Sequence, residues 1–250
     1  ADPQTGPTDL AGPSRREVWR MFDRIATRYD LMNRLMTFGL DVSWRRRMAG
    51  YLPDRPELEL LDLATGTADQ ALILCETCPR IQRAVGMDLA ENMLEIGRRK
   101  IAGHGRADQI SLATGDAMSI PAADATFDAV TISYGIRNVT DVTAALREMF
   151  RVLKPGGRVL VLEGSLPANP AVRFGHRLYL RYVMPFLGGV VSGDFRAYRY
   201  LNRTIESFPC GEDFCDLMRE AGFQQVAAIP VTFGVSSIYR GDRPERKADA

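Results

Sequence analysis

LELLDLATGTAD, Leu58 to Asp69, has the pattern of a buried strand that ends in an acid and opens through a small-residue turn into a helix. Leu58, Leu60, Leu61 and Leu63 form a short apolar run typical of central parallel strands. Thr65, Gly66, Thr67 and Ala68 are small enough for a ligand to approach the backbone closely. Asp62 and Asp69 bracket the turn with negative charge. A dinucleotide pyrophosphate calls for G-x-G-x-x-G spacing with no acid beside it, whereas here Gly66 stands alone near two carboxylates. The turn suits a ligand that carries positive charge or hydroxyls. S-adenosylmethionine, with an ammonium, a sulfonium and a ribose diol but no phosphate, has that chemistry. An ordinary strand-to-helix connection would look similar, so the rest of the chain has to decide.

Working outward, Arg83 to Asp88 (RAVGMD) reads as a second strand ending in an acid, about twenty residues past Gly66. That is the interval at which nucleotide-binding α/β units set a carboxylate against a ribose diol, the carboxylate accepting the two hydrogen bonds that the diol donates. Capping of the helix Glu91 to Lys100 is the competing role for Asp88. Ile110 to Ala113 starts a third strand, and Asp116 follows it beside Gly115 and Ala117. Three strands delivering carboxylates to one edge are hard to explain by capping, because open parallel sheets bind ligands outside the carboxyl ends of their strands. Phe127 to Ser133 (FDAVTIS) is a β-branched central strand, and its loop, Tyr134 to Asn138, should face the ligand too. Lys154 to Gly157 turn the chain into a fifth strand, Arg158 to Glu163, and Phe223 to Pro230 with Phe233 to Arg240 read as a closing antiparallel pair.

A chain of 250 residues with 46% apolar residues can form one α/β domain, expected over residues 15–240. The net charge of +1 argues against nucleic acid as a partner. No apolar run approaches the ~20 residues needed to span a bilayer, and a cytoplasmic protein is the expectation. Cys75 and Cys78 form a C-x-x-C inside a helical pattern, with only His104 and His176 in the chain; buried thiols are favoured over a metal or redox site, and no metal is expected. Residues 1–14 read as a disordered tail and the end from Gly241 as frayed. Arg15 to Leu52 reads as a cap of two or three helices, unusually rich in aromatic residues and methionine, with Arg45, Arg46 and Arg47 on a solvated face. Val172 to Val191 reads as a helical insertion, part of a segment over 171–210, whose last third is apolar enough to touch a membrane.

With these elements in order, the chain resembles class I S-adenosylmethionine-dependent methyltransferases, which have a Rossmann-like α/β fold with a seven-stranded, mostly parallel sheet and a late antiparallel hairpin. Two stretches, YDLMNRLMTFGLDVSW (Tyr29 to Trp44) and RVLKPGGRVLVLEGS (Arg151 to Ser165), resemble the two signatures of the ubiquinone/menaquinone biosynthesis C-methyltransferases, and TISYGIRNVTD (Thr131 to Asp141) matches them closely. Departures are Ala64 and Ala68 where the wider superfamily has glycines, Thr37 for Ser, Asp41 for His or Leu, and Gly164 for a bulky apolar residue. The resemblance implies cofactor contacts at Thr67, Asp88, Asp116, Ala117 and Ser133, with Asp88 at the ribose and Asp116 at the adenine amino group. Asp62, Gly66 and Thr67 would surround the methionine portion. The implied reaction is C-methylation of a demethylquinol, demethylmenaquinol or its benzoquinol counterpart. Arg137 would stabilise the phenolate and orient a proton-accepting water, since a guanidinium is no base, and Asn138 and Tyr29 would complete the hydrogen bonds. Neither histidine falls in a ligand-facing loop of the sheet, which argues against a histidine base. The implied partners are a polyprenylated quinol, a membrane surface touched from the periphery and a second copy of the chain. The rival readings are a methyltransferase of another phenolic or lipid substrate, a nicotinamide-dependent reductase lacking its phosphate glycines, and a non-catalytic scaffold.

Overall fold

The computed structural model describes residues 18–186 and 204–245. Among them a seven-stranded sheet carries the fold: β1 (Leu58–Leu63), β2 (Ile81–Asp88), β3 (Ile110–Thr114), β4 (Phe127–Ser133), β5 (Leu153–Gly164), β6 (Gln224–Val231) and β7 (Ser236–Asp242). Their order across the sheet is β3-β2-β1-β4-β5-β7-β6. The first five run parallel, and β7 pairs antiparallel with both β5 and β6. Chain order reverses between β1 and β4, the place where doubly wound sheets open a crevice at their carboxyl ends.

Every residue of β4 is buried, and the side chains of the central strands alternate between two cores. Leu61, Leu63, Val130, Ile132, Val159 and Val161 face one way, toward helices α5 (Val142–Val152) and α7 (Glu212–Glu220). Leu58, Leu60, Ala129, Leu160 and Leu162 face the other, where they meet helix α3 (Asp69–Thr77) and Trp44 and Met48 of helix α2 (Leu40–Met48). Burial on both faces is why these strands read as nearly continuous apolar runs. Helix α4 (Glu91–Gly103) lies between β2 and β3. Helix α1 (Val18–Met36) packs against α4, and the left-handed Gly39 (φ 75°) turns the chain from α1 into α2.

Three boundaries differ from the sequence reading. The Lys154–Gly157 turn is part of β5 rather than separate from it, because it hydrogen-bonds to the chain end: Gly156 N–H donates to the Arg243 carbonyl at 2.9 Å and Arg243 N–H to Gly157 at 2.8 Å. Residues 241–245 are accordingly not frayed, and the Arg243 guanidinium donates to the carbonyls of Phe150, Arg151 and Leu153. Phe233 lies in a tight turn between β6 and β7 with φ 58°, not in a strand. The expected insertion forms helix α6 (Pro170–Leu178), a wider-wound Tyr179–Val183 segment and helix through residue 186, and residues 204–207 are again helical; residues 187–203 of that segment, and the 1–14 tail, lie outside the described residues.

Candidate active site

The turn after β1 carries three left-handed residues in five, Ala64 (φ 47°), Gly66 (φ 56°) and Ala68 (φ 66°). Two alanines hold conformations that favour glycine, at a cost of about 1–2 kcal/mol each. Gly135, in the loop after β4, has to be glycine because a Cβ there would stand 2.4 Å from the Ala64 Cβ. This crowding brings two ligand-facing loops together over the switch point.

Between them opens a cleft of about 470 Å³, rimmed by Gly66, Asp88, Asp116, Ala117, Ser133 and Asn138, among others. The Asp88 carboxylate is fixed by backbone: its Oδ2 accepts from Gly66 N–H at 2.8 Å and its Oδ1 from Ala90 N–H at 2.9 Å. Burial raises this carboxyl above its ordinary value despite those bonds. Asp88 thus ties the turn after β1 to Ala90, the residue before α4. Asp116 Oδ1 caps its own loop by accepting from Met118 N–H at 2.9 Å.

A small polar chamber adjoins this cleft, sharing Tyr29, Ala64, Gly66 and Ser133 with it. Asp62 and Thr67 line it. Asp62 is 1% exposed, accepts from Thr65 and Thr131 hydroxyls at 2.6 Å each, and has its carboxyl pushed up to about 6 by burial. The Thr67 hydroxyl donates to Asp30 at 2.6 Å and accepts from Lys100 at 3.2 Å, so it ties α1 and α4 to the turn. Arg34 donates to Asp69 at 2.8 Å, and Lys100 also pairs with Asp69, which completes a latch between the cap helix and the α3 N-terminus.

On the other side of Tyr29 lies an apolar cavity of about 290 Å³ walled by cap and insertion residues, including Met32, Met36, Trp44, Leu180 and Met184. Arg137 lines it, 4% exposed and ion-paired with the buried Glu163 at the end of β5. Arg137 and Asn138 therefore part company, the arginine on the apolar cavity and the asparagine on the cleft with its amide 3.4 Å from the Tyr134 carbonyl. Tyr29 lines all three spaces, and burial raises its phenol above the ordinary value. Gly164 also lines the apolar cavity, where a Cβ would stand 3.3 Å from Ile205. Asp41, the other departure, is fully buried and bound by Arg34, by the Thr37 hydroxyl at 2.9 Å and by Arg45 at 3.8 Å.

One sequence expectation needs correcting. Arg45 is not on a solvated face: it is 5% exposed, lines the polar chamber and sits 5.6 Å over the Tyr134 ring. His176 lies in no sheet loop, as expected, but from α6 it lines the apolar cavity, and burial lowers its imidazole below the ordinary value. Glu163, to which the sequence reading gave no role, is a fourth acid at a strand end, the same signal that marks Asp62, Asp88 and Asp116. Cys75 is a buried free thiol raised to about 12, a poor thiolate for redox or metal chemistry.

A model of the ubiE/COQ5 methyltransferase family matches residues 11–243. The chain belongs to that family. Its relatives include the demethylmenaquinone methyltransferase of Thermus thermophilus, 47% identical over 90% of this chain and 100% of the relative. The ubiquinone/menaquinone biosynthesis C-methyltransferase UbiE of Geotalea daltonii is 39% identical over 91% and 96% respectively. Among solved structures, a SAM-dependent methyltransferase of Thermotoga maritima superposes with a TM-score of 0.62 at 21% identity, covering 90% of this chain and 99% of that one, which shows the shared fold. This member of the ubiE/COQ5 family is a methyltransferase, and the family uses S-adenosylmethionine. No helix among the described residues is long and apolar enough to cross a membrane.

Proposed function

We propose that the protein transfers the methyl group of S-adenosylmethionine to a ring carbon of a demethylquinol, most directly demethylmenaquinol. The observation that carries this reading is the shared wall: an acid-rimmed cleft and an apolar cavity meet at Tyr29 and Tyr134, with the Arg137 guanidinium on the apolar side. The names of the relatives support the same substrate class.

The donor set suits the cofactor. Asp88 retains free lone pairs for a ribose diol, Asp116 and the Ala117 amide are suited to the adenine edge, and Asp62, Gly66 and Thr67 suit the methionine end, with Ser133 between the two spaces. When bound, the cofactor supplies an electrophilic methyl on a sulfonium. The protein's part is to hold the acceptor carbon in line at roughly 3–3.5 Å in a dry cavity, and to keep the ring electron-rich by favouring loss of its hydroxyl proton. Arg137 stabilises the phenolate and orients a water that takes the proton, while Glu163 fixes the guanidinium from behind. Tyr29 and Asn138 hold the hydroxyl and cofactor sides of that geometry.

Phe174, Tyr182 and Phe186 are exposed on the α6 segment whose Leu180 and Met184 line the cavity, and they are suited to meet the lipid in which a polyprenyl tail resides. The test is a product assay: purified protein, methyl-labelled cofactor and demethylmenaquinol in lipid vesicles should yield labelled menaquinol. Turnover of a tail-free phenol with none of either quinol series would replace this substrate with another. In the same preparation, Phe174→Asp with Phe186→Asp should lower the vesicle-bound fraction, and an unchanged fraction would remove the membrane contact.

A further inference from the structure

Arg45 and Gln70 are two polar side chains for which neither the sequence nor the kinship assigns a task. Both line the small chamber that adjoins the cofactor cleft, at 5% and 2% exposure. The Gln70 carbonyl is saturated, accepting from the Ser133 hydroxyl at 2.9 Å and from Arg45 Nη1 at 3.3 Å. With Oε1 so engaged its amide nitrogen must point elsewhere, and Gln70 Nε2 has no hydrogen-bond partner among the described residues. Arg45 Nε has none either. The Gln70 amide nitrogen of this chamber, and the Arg45 Nε on its Asp41 side, are buried donors left unmet, which is costly unless something arrives to accept from them.

The charge around them says what that is. Arg45 is the one cation among the chamber's described lining residues. Each nearby acid already has partners: Asp62 holds Thr65 and Thr131, Asp69 holds Lys100 and Arg34, and Asp30 holds Lys100 and Thr67. Asp41 lies 3.8 Å from Arg45 Nε, beyond hydrogen-bond reach, and its charge is shared with Arg34. The chamber therefore offers an anion acceptor beside a carboxylate, the pattern that a zwitterionic amino-acid end requires. We infer that Arg45 and Gln70 bind the α-carboxylate of the cofactor's methionine portion, while Asp62 faces its ammonium. The inference rests on the cofactor reading above.

Decarboxylated S-adenosylmethionine lacks only that carboxylate and keeps the ammonium, sulfonium and adenosine, which makes it the discriminating probe. Isothermal titration of the full chain should show the complete cofactor binding roughly 10- to 100-fold more tightly than the decarboxylated one, as expected for charge-assisted hydrogen bonds to a buried anion. Arg45→Met should abolish that preference, weakening the complete cofactor while leaving the decarboxylated one within about twofold, and its retained binding certifies the fold. Arg45→Lys should restore part of the preference, and Gln70→Glu, which turns a donor into an acceptor, should reduce it. A wild type that does not discriminate, or an Arg45→Met that loses both ligands equally while Gln70→Glu changes nothing, overturns the inference. A wild type that binds neither ligand overturns the cofactor reading itself, and this inference with it.

Discussion

The cofactor cleft and the apolar cavity share Tyr29 and Tyr134 yet are built in opposite ways. The cleft is made by the carboxyl ends of strands, so its groups sit where backbone pairing puts them: Asp88 is held by two backbone amides and Asp62 by two hydroxyls. The cavity is made by the side chains of α1, α2 and the α6 segment, packed over the sheet and held by the ion pairs of Arg34 and Lys100. A site anchored to a sheet keeps its geometry through small changes elsewhere, whereas a site between helices depends on how they pack. A precise polar grip on the cofactor and an adaptable apolar grip on a greasy acceptor follow from that difference.

Arg137→Ala breaks the two apart most sharply. If the guanidinium acts on the substrate side, turnover should fall roughly 10²–10³-fold while cofactor affinity by calorimetry stays within about twofold. Equal loss of both would move Arg137 to the cleft side and remove it from the chemistry. Glu163 holds the guanidinium through Arg137 Nη1, while Arg137 Nε and Glu163 Oε2 have no hydrogen-bond partner among the described residues.

The same difference explains what could be read from sequence. Strands with acid ends are legible because period-2 burial and a terminal carboxylate are local patterns, and β1, β2, β3 and β4 came within about two residues of their observed bounds. The walls of the apolar cavity are not local. Which face of α2 turned inward was set by packing on α3, so Arg45, beside two arginines that do reach solvent, gave no signal of its burial. His176 was equally opaque, since its exposure to a cavity depends on how α6 folds back over α1, where the Tyr179 hydroxyl donates to the Met36 carbonyl at 2.6 Å. Glu163 is legible in the sequence, because it is an acid at the carboxyl end of an apolar strand, as Asp88 is.

A tenfold effect is expected from pH on the cleft side alone. Burial raises the Asp62 carboxyl from 3.8 to about 6. Between those values the folded chain keeps a proton that the unfolded chain has released, so this group favours folding at low pH and that advantage is lost as pH rises through about 6. An ammonium ligand has the opposite demand, because it needs the ionised form. Cofactor affinity should therefore rise by roughly tenfold from pH 5 to 7, about half of it on a logarithmic scale below pH 5.5, and level off above pH 7, with proton release on binding in the lower range. Asp62→Asn should remove this slope; Asp88, also raised by burial, would account for any remainder. A variant with the wild-type profile would reassign the titration. Partition of a neutral quinol into the apolar cavity should follow no such profile.

The smallest effect sharpens the comparison at its seam. Ala64 sits at φ 47° with its methyl against Gly135, where the cleft's two loops touch. Ala64→Gly relieves left-handed strain of about 1–2 kcal/mol, against the loss of part of one buried methyl, at most about 0.8 kcal/mol, and added freedom in the unfolded chain of about 0.5–1 kcal/mol. Those terms nearly cancel, so urea unfolding should show a change within about 1 kcal/mol of zero at this site. The informative readout is cofactor affinity in the same variant. If the turn is held by Asp88 accepting from Gly66 N–H, its geometry survives without the methyl and affinity changes by less than about threefold. A larger loss would mean that the Ala64 methyl, pressed against Gly135, sets the spacing of the two loops, and that the cleft depends on side-chain packing in the way the apolar cavity does.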